Sequence, residues 1–333
     1  MSKPHGNKGY SIIACVLLTL SIFTVAYAEP SNSSVAPTIT PQTVLTTVND
    51  IQANLALIKT AMGHPLIPKT ALTVKGAAPR EVYFVADALK TKASRLAFEV
   101  SGKSLNHDQA DLDITNVRPS DVLKLVNRAL DNILLVKQTL GITEAPAKIK
   151  SADENTTPSD VFNAILQTNH SLSGLLSSKF TPSDVFEQIT LSINYTDKLL
   201  SRFKGAVRIP EQPTFIPNKK PLDVYKRLTR CLNLLREIAK NSSISMLSIQ
   251  TNFKDAQSVA PSDVYDLAKV NVAELKYFLD LAGIKTNDIQ PYYPGFKVPA
   301  DVYQRAGILL KQLNILQEET AKNPNWIKDN RQS

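Results

Sequence analysis

The sequence predicts an all-α protein built from tandem helical repeats, and three observations lead to this prediction. A Pro-x-Asp-Val-aromatic phrase recurs along the chain, each copy precedes about twenty residues of helical pattern, and most copies are evenly spaced. A phrase repeated at a fixed period is typical of one structural unit stacked several times. The eight copies begin at Pro41, Pro79, Pro119, Pro158, Pro182, Pro221, Pro261 and Pro299.

The phrase has the chemistry of a helix start. In Thr157-Pro158-Ser159-Asp160 the threonine suits the N-cap, and proline suits the first helical position because the N–H that it lacks would be unpaired there. An acid three residues after the cap can accept a hydrogen bond from the cap N–H and favours the positive end of the helix dipole. Thr43 replaces the acid in the first repeat. We interpret the other seven as caps, not as a catalytic or metal-binding array: Glu81, Asp121, Asp160, Asp184, Asp223, Asp263 and Asp301.

The residues after each phrase have the apolar pattern of a packed helix. In the seventh repeat, apolar residues recur at intervals of three and four between Val264 and Ala282, as on the buried stripe of a bundle helix. Polar residues interrupt this stripe in three helices of the first half, at Gln52, Lys90 and Asn169. We therefore expect the second half of the chain to be the more stable.

One irregular spacing divides the chain. Successive phrase prolines are 38, 40, 39, 24, 39, 40 and 38 residues apart, so the short interval lies between two equal sets of long ones. This symmetry predicts two duplicated four-helix units that fold independently, residues 40–180 and 181–320, followed by a C-terminal tail at 321–333. The alternative is one continuous solenoid of eight stacked helices.

The linkers between helices are long for a helical bundle. About ten extended residues cover the length of a 22-residue helix, so a linker can return along one helix and start the next in parallel. Extended linkers of this length often contain functional residues. The linker before the eighth phrase has three clustered aromatics, Tyr292, Tyr293 and Phe296, which are our candidate binding residues. The alternative is that these rings pack the linker onto its own bundle.

The N-terminus has the pattern of a secretory signal peptide over residues 1–28. Lys3 and Lys8 precede an apolar run, and Ala26-Tyr27-Ala28 forms a small-x-small cleavage site before Glu29. We expect a disordered lead over residues 29–39 and an exported protein, periplasmic or secreted. The sequence after the signal contains no run of eighteen apolar residues, so we expect no transmembrane segment once the signal is cleaved.

Motifs of catalysis are missing from the sequence. His64, His107 and His170 form no metal-ligand pair, and the chain has no Gly-x-Ser-x-Gly elbow, phosphate loop or dinucleotide fingerprint. We therefore predict no catalytic residue, no metal site and no cofactor, although an enzyme whose site is spread over the chain stays open. His170 is interpreted as a hydrogen-bonded bundle histidine. Cys231, the one cysteine after the leader, is interpreted as a small buried hydrophobe.

The charge balance is modestly basic. The chain has a net charge of +8, which falls to +6 when the leader takes Lys3 and Lys8 with it. We interpret the basic residues as a dispersed, solvated surface, with attraction to anionic envelope polymers or lipid headgroups left open. Export argues against nucleic acid as a partner.

Three hypotheses for function follow. The preferred one is an exported scaffold that binds a protein or another component of the bacterial cell envelope, in an oligomeric state left open. The second is an enzyme with its site in a groove between helices or halves, and the third is a sensory module that binds a small ligand. Converging acids with perturbed pKa values would favour the enzyme. An apolar pocket within one bundle would favour the sensor, and an exposed apolar face would favour the scaffold.

Overall fold

The computed structural model describes residues 38–64, 72–103, 105, 114–147, 153–177, 180–251, 259–285 and 294–327. The predicted signal peptide and nearly all of the predicted lead lie outside this part of the chain. The described residues are mostly helical, as an all-α fold requires, with a short 3₁₀ turn at Ile114–Asn116 and strands β1 (Leu72–Lys75) and β2 (Ser248–Thr251). The α-helices are α1 (Pro41–Ala61), α2 (Pro79–Ser101), α3 (Pro119–Thr139), α4 (Pro158–Ser173), α5 (Pro182–Leu200), α6 (Pro221–Asn241), α7 (Pro261–Leu281) and α8 (Pro299–Lys322).

Each helix begins at a phrase proline, and the seven phrase acids cap the helices. Every one of these carboxylates accepts a hydrogen bond from its N-cap N–H, at 2.5–3.1 Å. A complete capping box needs an N-cap hydroxyl as well, and Thr40, Thr157 and Thr181 provide one. At the other five starts the acid acts without a side-chain cap from the preceding residue: Ala78, Arg118, Lys220, Ala260 and Val298.

The helices pack in two groups of four. Helix α1 contacts α3 and α4, and α2 contacts the same two helices, so α1 and α2 lie diagonally across a closed ring, as do α3 and α4. In the same way, α5 and α6 each contact α7 and α8. A continuous solenoid would instead pack every helix on the next one, whereas α1 does not pack on α2, nor α3 on α4. We call α1–α4 the first bundle and α5–α8 the second; their origin by duplication stays a prediction.

The four helices of each bundle run parallel. Their first residues meet around a small apolar cavity at one end of the bundle, lined in the first bundle by Pro41, Pro79, Pro119 and Pro158 together with the valine three residues after each. The equivalent prolines and valines of α5–α8 line a second cavity. A parallel arrangement requires each linker to return along the length of a helix, as the linker lengths predict.

The two bundles meet along α2 and α7, which run antiparallel. Ion pairs join Arg80 to Glu274 near one end of this contact and Lys92 to Asp266 near the other. The strands that precede these helices pair antiparallel as well, with Leu72 opposite Thr251. The described residues from Ile39 onward form one compact unit.

The polar residues that interrupt the stripes of the first bundle have different surroundings. The Gln52 amide donates to the Ala164 carbonyl at 3.2 Å and to the Thr168 hydroxyl at 3.0 Å, which ties α1 to α4. The buried Asn169 amide donates to the Val85 carbonyl at 3.2 Å. Lys90 is only partly buried and pairs with an acid of its own helix.

The segment predicted as a C-terminal tail contributes to the core of the second bundle. Helix α8 continues to Lys322, and Trp326 is buried between Phe203 and Phe278, with ring centroids 6.0 and 6.4 Å away. Its indole N–H donates to the Ser242 hydroxyl at 2.9 Å. Trp326 therefore covers the C-terminal ends of the bundle helices.

Candidate functional site

Of the three candidate binding residues, Phe296 is placed by the structure, whereas Tyr292 and Tyr293 lie outside the described residues. Phe296 is 84% exposed, more than any other large hydrophobic side chain in the described part of the chain. Its ring therefore does not pack the linker onto its own bundle, which was the alternative to a binding role.

The backbone around Phe296 is fixed to α5. The Ser183 hydroxyl donates to the Gly295 carbonyl at 2.8 Å and accepts from the Lys297 N–H at 3.1 Å. Gly295 has a φ of 74°, which glycine adopts without strain. The Lys297 ammonium lies 5.1 Å from the centre of the Phe186 ring. The exposed Phe296 side chain therefore lies on a loop whose backbone is held in place by hydrogen bonds to Ser183.

A second exposed feature is the linker between α5 and α6, residues 201–220, which we call the strap. It crosses the outer side of α8 in extended form, and an ion pair of Arg208 with Asp197 at 2.6 Å holds its first part. Three strap carbonyls accept hydrogen bonds of 2.7–2.9 Å from α8 side chains: Arg208 from Gln312, Glu211 from Lys311, and Pro213 from Gln304.

Gly307 of α8 makes the close approach of the strap possible. A Cβ atom at this position would lie 2.8 Å from both Pro213 Cγ and Arg227 Nη1. Any other residue at position 307 would therefore displace the strap, the Arg227 side chain of α6, or both. The strap and α6 consequently share one surface at this point.

The strap exposes apolar side chains although its backbone is anchored. Ile209 is 75% exposed. A loop normally turns such side chains toward the body of the protein, because exposed apolar area is unfavourable in water. The other exposed large hydrophobics of the strap are Val207, Phe215 and Ile216.

Cations next to the strap are positioned by aromatic rings of the repeat phrase. The Arg227 guanidinium lies 3.3 Å from the centre of the Tyr303 ring and donates to the Tyr303 carbonyl, and Lys219 of the strap approaches the same ring at 4.6 Å. Arg305 lies 5.3 Å from the Phe186 ring. Because these rings are already paired with the protein's own cations, they are not sites for a cationic ligand.

The strongest cluster of titratable groups lies between the bundles, where α2 meets α7. Lys92 is fully buried and its ammonium is 2.8 Å from Asp266, and Asp87 and Lys269 pair at 3.1 Å. Farther along, the Arg80 guanidinium lies 2.9 Å from Glu81 and 3.6 Å from Glu274. We call this set the interbundle cluster.

The environment shifts several pKa values in the interbundle cluster. Burial raises the pKa of Glu274 well above its usual range; the Glu81 carboxylate adds to this, and Arg80 acts against it. Burial also raises the pKa of Asp266, although Lys92 opposes the shift. At Asp87 burial acts to raise the pKa, but Lys269 and Lys90 outweigh it, and the pKa is lowered.

Acids with raised pKa values often act in catalysis, but a general acid must reach its substrate. Both Glu274 and Asp266 are buried between packed helices, and a substrate could reach them only by separating the bundles. The surroundings of this cluster therefore fit a structural interface better than an active site.

Of the two residues singled out in the sequence, the histidine is partly buried and the cysteine is fully buried. His170 Nδ1 lies 3.0 Å from Asp263 Oδ1, so this histidine links α4 to α7. Cys231 is buried, and burial raises the pKa of its thiol to about 12, which keeps it in the unreactive protonated form. Among the described residues, no group of three or more His, Cys, Asp or Glu side chains is placed to hold a metal ion.

The cavities where the phrase prolines meet are too small for an organic ligand. Each encloses about 20 Å³ and has an apolar lining, which is room for roughly one water molecule. In the part of the chain that the structure describes, no helix combines the length and apolar character needed to cross a membrane.

No known protein family, curated protein or solved structure matches this chain. Function must therefore be inferred from the geometry.

Sequence patterns did not reveal the strap surface or the interbundle cluster. The cluster of aromatic residues in the linker before α8 indicated Phe296 as a candidate, whereas Ile209 and Phe215 lie in a proline-rich linker without a periodic pattern. A signal for the interbundle cluster was present in α7, where apolar residues such as Leu267, Val270 and Ala273 extend beyond one stripe. A helix that is apolar all round is buried all round.

Proposed function

We propose that this protein is exported and acts as a helical scaffold that binds a protein partner in the bacterial cell envelope through the loop around Phe296. The observation that carries the proposal is an exposed phenylalanine on a backbone that Ser183 holds in place. An aromatic side chain that is already positioned loses little conformational entropy on binding, and such residues dominate the affinity of many interfaces.

The other two hypotheses have less support from the geometry. An enzyme needs its perturbed acids to be accessible, and those of the interbundle cluster are enclosed. A small-ligand sensor needs a pocket of about 300 Å³ or more. The two apolar cavities of about 20 Å³ where the phrase prolines meet are far below this size, so neither of them is such a pocket. An exposed apolar surface was the feature expected of a scaffold.

Site-specific photo-cross-linking tests the proposal. A photoreactive phenylalanine analogue would replace Phe296 in the full-length precursor, and cells would be irradiated before fractionation. We expect one discrete cross-linked protein in the envelope fraction, because a positioned ring contacts a defined partner surface.

The matched control places the same analogue at Phe98, which is 62% exposed on α2 of the first bundle. The proposal predicts that the discrete product is missing or much fainter there. An equal pattern at both positions, or no product at position 296, would overturn it. Recovery of the protein from the cytoplasmic fraction would overturn export.

A further inference from the structure

The excess of basic over acidic residues lies mainly in one segment, although basic residues occur along the whole chain. Residues 201–240, the strap and most of α6, contain ten lysines and arginines but only three acids. Their net charge of +7 is nearly the whole net charge of +8 of the chain. The exposed bases are Lys204, Arg208, Lys220, Lys226, Arg230 and Lys240.

The bases of α6 form a stripe along its exposed side. Lys226, Arg230 and Lys240 are separated by four and ten residues, which places them within one face of a helix, where the exposed Glu237 is the one acid among them. The opposite side of α6 is buried in the second bundle through residues such as Leu228 and Leu235. The stripe therefore faces away from the protein.

The exposed apolar side chains of the strap are interspersed with these charges. Arg208 stands between the exposed Val207 and Ile209, and Phe215 and Ile216 precede the lysines at the start of α6. The contacts of Pro213 and Arg227 around Gly307 join the strap to α6. Basic and apolar groups consequently occupy one continuous region, the strap–α6 surface.

We propose that the strap–α6 surface binds an anionic phospholipid bilayer. Clustered lysines and arginines are attracted to anionic headgroups, and apolar side chains held outward among them enter the boundary between headgroups and acyl chains. The positive charge of the surface complements the negative charge of the bilayer and supplies the long-range contribution to binding. The apolar side chains of the strap supply a second, short-range contribution to binding.

The shape of the strap favours a bilayer over an acidic protein. Interface residues that dominate protein binding usually cluster in a compact, pocket-filling group. Here the apolar side chains are spread over ten residues of a strap on the outer side of α8, from Val207 to Ile216. A fluid bilayer accommodates protruding side chains at any spacing, whereas a protein would need a matching row of pockets.

This inference goes beyond the proposed function and does not depend on it. Cross-linking at Phe296 reports on a protein partner, whereas membrane binding rests on strap and α6 residues. Either proposal can therefore fail while the other stands.

Flotation of the purified mature protein with lipid vesicles tests the inference. Vesicles would contain phosphatidylcholine alone or a mixture with phosphatidylglycerol, at low and at physiological salt. We expect binding to the anionic vesicles only, and weaker binding as salt increases, because the surface charges are screened.

Two double variants test the two contributions separately. Lys220→Glu with Arg230→Glu should weaken binding at least about tenfold, because each base near an anionic surface contributes substantially to the affinity. Ile209→Ser with Phe215→Ser should weaken it several-fold, because less apolar surface enters the bilayer. All four positions are exposed, and melting curves verify that the variants are folded.

The matched controls lie on the first bundle. Lys103→Glu with Lys124→Glu makes the same change in net charge, and Phe98→Ser with Leu134→Ser removes exposed apolar groups from α2 and α3. Both control variants should bind like the wild type.

Three results would overturn the inference. The first is equal binding to neutral and anionic vesicles, and the second is no binding to either. The third is binding to soluble dextran sulfate as tight as to vesicles, with no effect of the Ile209 and Phe215 changes. This last result would identify an anionic polymer as the target instead of a bilayer.

Discussion

At the scale of single residues, one position of the repeat phrase has two different uses. The acid three residues after the N-cap accepts the cap hydrogen bond in all seven helices that contain it. On α2 and α7 the acid also reaches beyond its own helix. Glu81 accepts from the Leu247 N–H at 3.2 Å, and Asp263 bonds His170. The caps of these two helices therefore also contribute to tertiary contacts.

This difference predicts unequal effects of one substitution in identical Pro-Ser-Asp-Val phrases. Asp184→Ala should lower the free energy of unfolding by about 0.5–2 kcal/mol, the usual effect of losing a cap. Asp263→Ala should cost about 1 kcal/mol more, because it also breaks the hydrogen bond to His170. In addition, Thr181 still caps α5 in the first variant, whereas Ala260 cannot cap α7. Urea denaturation of both variants measures the difference.

His170→Ala provides the control for this comparison. Combined with Asp263→Ala it should add little destabilisation, because the shared hydrogen bond is already lost, whereas with Asp184→Ala its effect should be additive. Equal unfolding free energies for the two aspartate variants would contradict the assignment of a second role to Asp263.

At the scale of elements, α2 and α7 differ from the other helices because these two form most of the helix contact between the bundles. Each buries the stripe that packs its own bundle and a second face that meets the other helix. The second face contains charged residues, and Lys92 is an example: it has no exposed surface and pairs across the bundles. Breaking one side of such a buried pair is strongly destabilising, so these helices are matched specifically.

The Arg80–Glu81–Glu274 group predicts a pH dependence of stability. The pKa of Glu274 is raised in the folded protein, so folding favours its protonated form. This contribution is complete below the unfolded pKa of about 4.3 and is lost as pH rises through the folded value. The stability of Glu274→Gln relative to the wild type should therefore increase as pH rises between these two pKa values, and the difference should be constant above the folded value. Arg80 keeps Glu81 as its partner in this variant.

Denaturant unfolding at a series of pH values from about 4 to 8 measures this effect. Glu318→Gln, which removes an exposed carboxylate from α8, is the control for the change in net charge. A constant difference between Glu274→Gln and the wild type across this range would contradict the prediction.

The features that could be predicted from the sequence are the local ones. A helix start depends on a few adjacent residues, so Pro182 and Asp184 were sufficient to place the first turn of α5. The partner of Lys92 is 174 residues away, and nothing near Lys92 in the chain indicates that its face is covered. The exposure of Phe296 likewise depends on Ser183, 113 residues earlier in the sequence.

At the scale of the whole molecule, the phrase and the packing support each other. Four parallel helices bring four positive dipole ends together, and the phrase acids offset this unfavourable arrangement. Between the bundles, α2 and α7 run antiparallel, so the dipoles of these two neighbours are opposed. The phrase therefore starts each helix, and its acids also reduce the electrostatic repulsion between the parallel helix dipoles.

Independent folding of each bundle stays a prediction. The interbundle cluster allows a more specific prediction of what separating the bundles would expose. Cutting the chain at the short linker would expose charged side chains such as Lys92 and Asp266, which water solvates well. Each fragment would keep its closed ring of four helices and its own buried stripe. Phe180, next to the cut, would keep its contacts with Lys92 and Arg95 of its own fragment but lose its ring contact with Tyr265 of the other, whose ring centroid is 4.5 Å away.

We therefore expect residues 29–180 and 181–333, expressed separately, to be helical and to melt cooperatively. The second fragment should be the more stable, because Trp326 covers the ends of its helices, whereas Gln52 and Asn169 place polar groups inside the first. Mixed fragments should associate, and Lys92→Met should weaken this association because Asp266 would be buried without its partner. Circular dichroism and calorimetric titration measure folding and association. If neither fragment folds alone, the interbundle contact is part of a single core, and the two bundles are one cooperative unit.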